Sequence, residues 1–521
     1  MRHAKPLIVW TCLGLVGAGF AVWGFPRAFP FVPERWEVTK QEAVAIALER
    51  MNDLGPPVEE PYVVAQLGSN DLLERRLHLA LAAGADHERL RRSTLGQALL
   101  FWRVVVYAPG ALPEEWTYMA RVGLGGELLD LRLRLAPEEK GRRVEPAAAR
   151  LRADAFLAEQ GFDLARFREP EVRAAQLQVR TDTTLRYVER DLALGEEVPY
   201  GIEVGFGGER LTGFQFRYDD PQRARLEAAI QPAILRNTLS ILAVFVVLPA
   251  VGVLFVRRYH AGEVGVKRGV QIMAAVWGAS LLLVLATART AAQGGQLGPL
   301  TRLQNTWIWA ALMGLLFFLS LSLVCLLAWS VGESLCRERR GAKLAAFDAL
   351  FRRDWANATI VRSALVGTAA GLALAGGAVA RGLATSRWGH WPVLSHHLGP
   401  WWPSASWPGV ALLLSAFVFV LYGELVGRLT LVPLLTRPLG IVAGGAVATL
   451  LSTLFLFGSP ALPLFSQGWG LATTALATAA LVALFLAYDL LGVLIASLVA
   501  QVLLGSLPLL LAADRSLQLQ G

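Results

Sequence analysis

Val410–Leu431 reads VALLLSAFVFVLYGELVGRLTL. As a helix, an apolar run of this length spans the ~30 Å hydrocarbon core of a bilayer. It nevertheless carries Glu424 and Arg428. An ion in a spanning helix costs roughly 2.5–3.5 kcal/mol on insertion scales, so an unpaired placement is selected against. The i, i+4 spacing puts both side chains on one helical face, within ion-pair reach. Two readings follow. One is a functional site, the default for an intramembrane ionisable pair. The other is a structural pair near the cytoplasmic end of the helix, with Arg428 reaching the headgroups.

The rest of the chain agrees with a membrane setting. Of 521 residues, 54% are hydrophobic and only 17% charged, which excludes an ordinary soluble protein and points to a polytopic α-helical membrane protein. The net charge of +8 is scattered, with no basic stripe interleaved with aromatics, so no nucleic-acid partner is expected. Three cysteines, Cys12, Cys325 and Cys336, build neither a disulfide framework nor a thiolate zinc site. No cofactor is expected.

Arg2 and Lys5 precede an apolar segment from Pro6 to about Val32 that lacks a small-x-small cleavage site. Residues 1–33 therefore read as a retained signal anchor with its N-terminus inside, and residues 34–232 as extracytoplasmic, in a cell inner (cytoplasmic) membrane. This second block has no spanning run. Thr39-Lys-Gln-Glu42 is a capping box, a helix-rich stretch covers about 69–98, and strands are expected at 99–107, 115–124 and 127–135.

The block also repeats itself. Val122-Gly-Leu-Gly-Gly-Glu-Leu-Leu-Asp-Leu-Arg-Leu-Arg134 recurs as Val204-Gly-Phe-Gly-Gly-Glu-Arg-Leu-Thr-Gly-Phe-Gln-Phe-Arg217. Each copy reads as strand, Gly-Gly turn, strand, and each follows an Ala-rich helix ending in Gly, at Gly55 and Gly161. The expected domain is α+β, two units each with a helix on an antiparallel sheet, and a helical insertion in the first. This layout resembles PepSY-type modules, small extracytoplasmic domains. The Gly-Gly pair precedes a strand, so it is a hairpin requirement and not a phosphate loop.

Beyond Leu235 the expected spans are about 236–256, 269–288, 307–331, 359–380, 409–431, 438–458, 469–487 and 490–512, about nine with the anchor. Residues 233–408 hold the first of these with basic loops, and 409–521 form a last bundle. The loops at 257–268 and 332–357 are rich in Arg and Lys, those at 289–306 and 381–408 poor, as the positive-inside rule requires. Residues 341–355, GAKLAAFDALFRRDW, are amphipathic and either lie on the inner leaflet or pack beneath the bundle. Loop 381–408 carries five tryptophans and places His390, His396 and His397 at the outer surface. The histidine spacing is no metal signature and no carboxylate lies nearby, so no metal is expected there. Glu333 and Glu338 sit among arginines and read as local salt bridges.

From Gly423 onward the order of features resembles the CAAX protease and bacteriocin-processing (Abi, CPBP) family of intramembrane endopeptidases. In that family one helix carries Glu-Glu-x-x-x-Arg, a later one a His after an aromatic, and a last one His-x-x-x-Asn/Asp. Gly423-Glu424-Leu-Val-Gly-Arg428 occupies the first place. Ser452–Ser459 occupies the second, with Leu456 or Ser459 at the His position. Ser497-Leu-Val-Ala-Gln501 occupies the third, with Gln501–Gly505 as the other register. Only Glu424 and Arg428 match. The first motif Glu is Gly423, and all seven histidines precede residue 398. The resemblance therefore implies a degenerate member, a pseudo-protease that retains Glu424 and Arg428 and binds membrane lipid and transmembrane segments of client proteins. Two alternatives stand beside it: an active endopeptidase, and a transporter or sensor with a ligand-binding outer domain. The shortage of further buried ions along the spans disfavours transport.

Overall fold

A computed structural model describes residues 4–32, 36–112, 114–136, 138–142, 144–192, 194, 197–291, 301–394, 402–405, 407–455 and 467–510. Helix α1 (Ala4–Ala28) leads into the α+β domain. There α2 (Lys40–Met51) starts at the expected capping box: Thr39 Oγ1 accepts the Glu42 amide while Glu42 accepts the Thr39 amide at 2.8 Å. Strand β1 (Tyr62–Ser69) follows, then α3 (Asp71–Ala82), α4 (His87–Arg92) and α5 (Thr94–Gln97), then β2 (Leu100–Tyr107), β3 (Trp116–Gly123) and β4 (Leu128–Leu133). The second half runs α6 (Pro146–Glu159), β5 (Glu171–Gln176), β6 (Thr181–Val188), β7 (Tyr200–Gly207) and β8 (Arg210–Tyr218).

The eight strands form one antiparallel sheet in the order β1-β2-β3-β4-β8-β7-β6-β5. Each half is thus a helix followed by a four-strand meander, and the meanders join at their last strands through Leu131 opposite Phe214. Both Gly-Gly hairpins need a residue at positive φ, supplied by Gly126 at 91° and Gly208 at 60°. The helical face of the sheet holds Trp102, Val122, Leu131, Val204 and Phe214, all buried against α2 and α6. Burial of each such side chain is worth about 1.5–3 kcal/mol.

The opposite face carries a polar row made by register alone. Gln66, Arg103, Arg121, Asp130, Gln215, Glu203, Arg186 and Glu171 are successive cross-strand partners from one edge of the sheet to the other. Partners in register project to the same face, so each charge meets its neighbour on the next strand.

The remaining chain is helical: α7 (Arg223–His260), α8 (Lys267–Ala291), α9 (Arg302–Leu312), α10 (Leu319–Arg340), α11 (Ala345–Phe351), α12 (Ala358–Ser386), α13 (Pro408–Glu424), α14 (Val432–Phe455), α15 (Gln467–Ala487) and α16 (Leu490–Leu510). A π-helical turn at Met313–Phe318 joins α9 to α10, and another at Leu425–Leu431 joins α13 to α14. Among the described residues, seven helical stretches are long and apolar enough to cross a membrane, so the chain is a multi-pass membrane protein with an attached α+β domain. The expected count of about nine divides Pro408–Leu454 between 431 and 438 and adds α7; the helix instead breaks at Gly440, inside the expected span 438–458, with φ 78° and ψ 174°.

Small residues set the closest helix contacts. A Cβ on Gly17 of α1 would lie 2.5 Å from the Leu372 carbonyl oxygen of α12. One on Gly371 of α12 would lie 2.6 Å from the Ala496 carbonyl oxygen of α16. Helix α12 is therefore clasped between the first helix and the last by backbone-to-backbone approach, the packing available to helices that share an apolar solvent.

The two ends of the bundle differ. At one end the sheet domain is tied down: Lys40 Nζ donates to the Ser404 carbonyl at 2.6 Å, and the Leu67 amide to Ser404 Oγ at 2.9 Å. The Arg302 amide donates to the Ala111 carbonyl at 3.0 Å. The Leu67 bond lies on β1, so the bundle closes that edge of the sheet. At the other end sits a salt-bridge network. Glu333 and Asp348 each pair with Arg268 and Arg337 at 2.6–2.8 Å, and Glu338 pairs with Arg258 at 2.5 Å and Arg437 at 3.4 Å. The amphipathic segment 341–355 belongs to this end. Phe347 and Phe351 pack on Trp329 with ring centroids 5.0 and 5.6 Å away, so of its two readings the structure shows the helix packed beneath the bundle.

Candidate functional site

Helix α13 starts with Pro408 in its first turn, where a missing amide hydrogen is harmless, and runs as an apolar helix to Glu424. The next seven residues widen into a π turn. Thr430 Oγ1 bonds the Leu425 carbonyl, five residues back, and the Ala328 carbonyl of α10, both at 3.0 Å. Single π turns inside α-helices recur at functional sites.

Glu424 ends α13, Arg428 sits in the middle of this turn, and the two are brought together. Arg428 Nε is 3.1 Å from Glu424 Oε2, and the side chains are 3% and 1% exposed. The N–H does not point along that contact, so it is an ion pair without an aligned hydrogen bond. Arg428 Nη1 also approaches the Gly423 carbonyl at 3.5 Å. The other carboxylate oxygen, Glu424 Oε1, accepts a 2.6 Å hydrogen bond from Ser497 of α16. Ser497 is fully buried. The carboxylate thus holds α16 through Ser497, and the turn holds α10 through Thr430. Taking two charges out of water is costly, and their attraction offsets that cost only when both stay together.

Ser497 stands at the third motif place in the sequence, but nothing in the sequence marks it as a partner of Glu424, 73 residues away. Gln501, the other register, is half-buried and makes no hydrogen bond to Glu424. Ser452 is buried, its hydroxyl without a partner among the described residues. Leu456 and Ser459 lie outside the described residues, as do His396 and His397. His390 follows the end of α12, where its amide closes a turn on the Thr385 carbonyl. Asp489 caps α16, accepting the Gly492 amide at 2.8 Å and Ser363 Oγ at 2.5 Å. Glu333 and Glu338 take their expected place in salt bridges.

A second polar group, not expected from sequence, lies where the sheet domain meets the bundle. Helix α3 buries Glu74, Arg75 and His78. Glu74 Oε1 accepts the Leu394 amide at 2.6 Å. The His78 ring stacks on Trp391 at 5.9 Å and lies 5.5 Å from Phe31, with neither ring nitrogen hydrogen-bonded. Loss of solvation, with the Arg75 charge added, pushes the imidazole down to about 3 and keeps it neutral. The signal available in the sequence was the polar run Glu74-Arg-Arg-Leu-His78, which reads as a solvated helix face. Burial comes from Phe31 and from Trp391 and Leu394, the last two more than 300 positions away.

Comparison of the chain with protein-family models, with curated proteins and with solved structures gave no match.

Proposed function

We propose that this chain is an inner-membrane protein whose last helices are a degenerate CAAX-protease-like bundle, and that it binds transmembrane segments of client proteins without cleaving them. On this reading the membrane is crossed about nine times, the sheet domain is extracytoplasmic, and its halves are copies of one PepSY-like unit. The basic ends of α7 and α10 fit the cytoplasmic side.

One observation carries the proposal. Both oxygens of Glu424 face protein partners, Arg428 and Ser497, and the side chain is 1% exposed. A general base has to reach a water or a substrate proton directly or through one water. Glu424 instead links α13 to α16. An apolar groove of about 340 Å³ between α1 and α12, walled by Leu7, Val361 and Leu365, offers a client segment a place against the bundle.

The test is a cleavage assay on the purified protein in lipid with a panel of membrane peptides, beside photo-crosslinking from position 365. Crosslinking to client segments with no cleavage is the expected result. Cleavage that vanishes in Glu424→Gln would overturn the proposal and make Glu424 the base.

A further inference from the structure

The sheet domain has a cleft of about 440 Å³, set where α4 of the first half meets the turn after α6 and the end of β6 in the second. Four guanidinium groups line it: Arg89, Arg92, Arg166 and Arg190, against two carboxylates, Glu189 and Asp191. The lining charge is therefore +2, from four positive and two negative groups.

The contacts within the cleft leave most of this donor capacity unused. Arg166 pairs with Glu189, whose side chain is 4% exposed and also accepts from Thr94 at 3.1 Å, so that pair belongs to the fold. Arg89 pairs with Asp191 at the surface. Arg92, 77% exposed, meets Glu88 through Nε at 2.6 Å. Arg190 has no carboxylate partner among the described residues, and its Nε donates to the Phe167 carbonyl at 2.8 Å. Each guanidinium presents five N–H donors, and each of these four engages one nitrogen. Three separate elements thus aim fork-shaped donors into one concave, positively charged space. Arginine forks fit the tetrahedral oxygens of phosphate, two hydrogen bonds at a time.

The position places the cleft close to the end of the first apolar helix. His87, at the start of α4, bonds the Pro30 carbonyl through Nε2 at 2.8 Å, two residues beyond the end of α1. The Phe31 ring packs 5.8 Å from His87. The helix that carries Arg89 and Arg92 is thus fastened to the point where the chain leaves α1. We propose that this cleft is a binding site for a phosphate monoester or diester, with Arg92 and Arg190 as its ligand-contacting arginines. The site is independent of Glu424 and of any client-binding role. Its phosphate comes either from a soluble ester or from a lipid headgroup reached at the bilayer surface.

The experiment uses the full chain in neutral detergent at low salt. Glycerol phosphate is titrated calorimetrically, and phosphatidylglycerol is compared with phosphatidylcholine by native mass spectrometry. Wild type is set against Arg92→Gln and Arg190→Gln, with melting temperatures recorded for each. Arg92 is exposed with only a surface pair, so its variant keeps the fold. The expected result is binding of at least one anionic probe, weakened ~10-fold in each variant, as loss of one charge-assisted hydrogen bond implies. Binding of glycerol phosphate identifies a soluble source; retention of phosphatidylglycerol alone identifies the lipid. No binding of either probe, or equal binding by wild type and Arg92→Gln, overturns the proposal.

Discussion

The molecule buries a carboxylate in two solvents, and the two burials are built differently. In the sheet, Asp130 is 1% exposed but is held by arginines that reach water: Arg132 at 2.8 Å and Arg121 at 3.5 Å, 29% and 31% exposed. Arg121 also lies over the Phe101 ring at 4.8 Å. In the bundle, Glu424 is held by Arg428, which is as deeply buried as itself. The sheet keeps its acid in a row with a wet side, where water can compensate a lost partner. The bundle has no such reserve, so its pair behaves as one unit. The difference shows that burial of the acid alone does not set how much its partner matters. What matters is whether the counter-charge can leave.

That contrast is broken or sharpened by four measurements. The largest effect belongs to Arg428→Gln, which strands a buried carboxylate and is expected to cost about 3–5 kcal/mol, seen as a large fall in melting temperature or folded yield. The double variant Glu424→Gln with Arg428→Gln should recover most of it. A single variant as stable as wild type would mean that the pair is not a unit.

Next comes the junction between the two solvents. Because His78 titrates at about 3 when folded and near 6.5 when unfolded, its contribution is complete above pH 6.5 and is lost as pH falls toward 3. The loss is at most about 1.4 kcal/mol per pH unit. Melting temperature measured from pH 7 to pH 4 should fall in wild type and flatten in His78→Phe.

Ser497→Ala removes one hydrogen bond to a charged group and should cost about 1.5–3 kcal/mol if Glu424 stays ionised, at or below the pH effect over the same range. An unchanged melting curve would show that the Arg428 contact alone holds the carboxylate.

Asp130→Asn should be the mildest, below about 1 kcal/mol at neutral pH, because its arginines turn to water. Burial raises the Asp130 carboxyl above its usual range, over the opposing pull of Arg132 and Arg121. Its contribution is therefore full below the ordinary carboxylate pKa and declines as pH rises through the raised one. Asp130→Asn should abolish that decline in a denaturation series from pH 3 to pH 7.

The local chemistry of both regions was legible in the chain. Alternation and the paired glycines mark the strands, because a hairpin needs its positive-φ residue at a fixed place. The i, i+4 spacing marks the Glu424–Arg428 pair. What stayed hidden was non-local. The meeting of β4 with β8, which completes the polar row, depends on two segments more than 80 residues apart. Ser497 looked like a failed motif position and is a partner for Glu424. Nothing in the sequence lays Trp391 on His78, more than 300 residues before it. The segment around Phe347 had two apolar neighbours to choose from, lipid or Trp329, and only packing decides between them.

The clasp of α12 between α1 and α16 also sets a timetable for biosynthesis. Helix α1 is made first, yet the surface that receives Gly14 and Gly17 lies on residues 369–373. The ribosome has to add some 340 residues, from the end of α1 at Ala28 to Ala369, before that surface begins to exist. At roughly 5–20 residues per second this takes about 15–70 seconds. Throughout that interval Gly14 and Gly17 of the first apolar helix lack the surface they pack on in the finished bundle. Larger side chains at Gly14 and Gly17 would meet the backbone of α12 when it arrives, so the first helix would find no seat in the bundle.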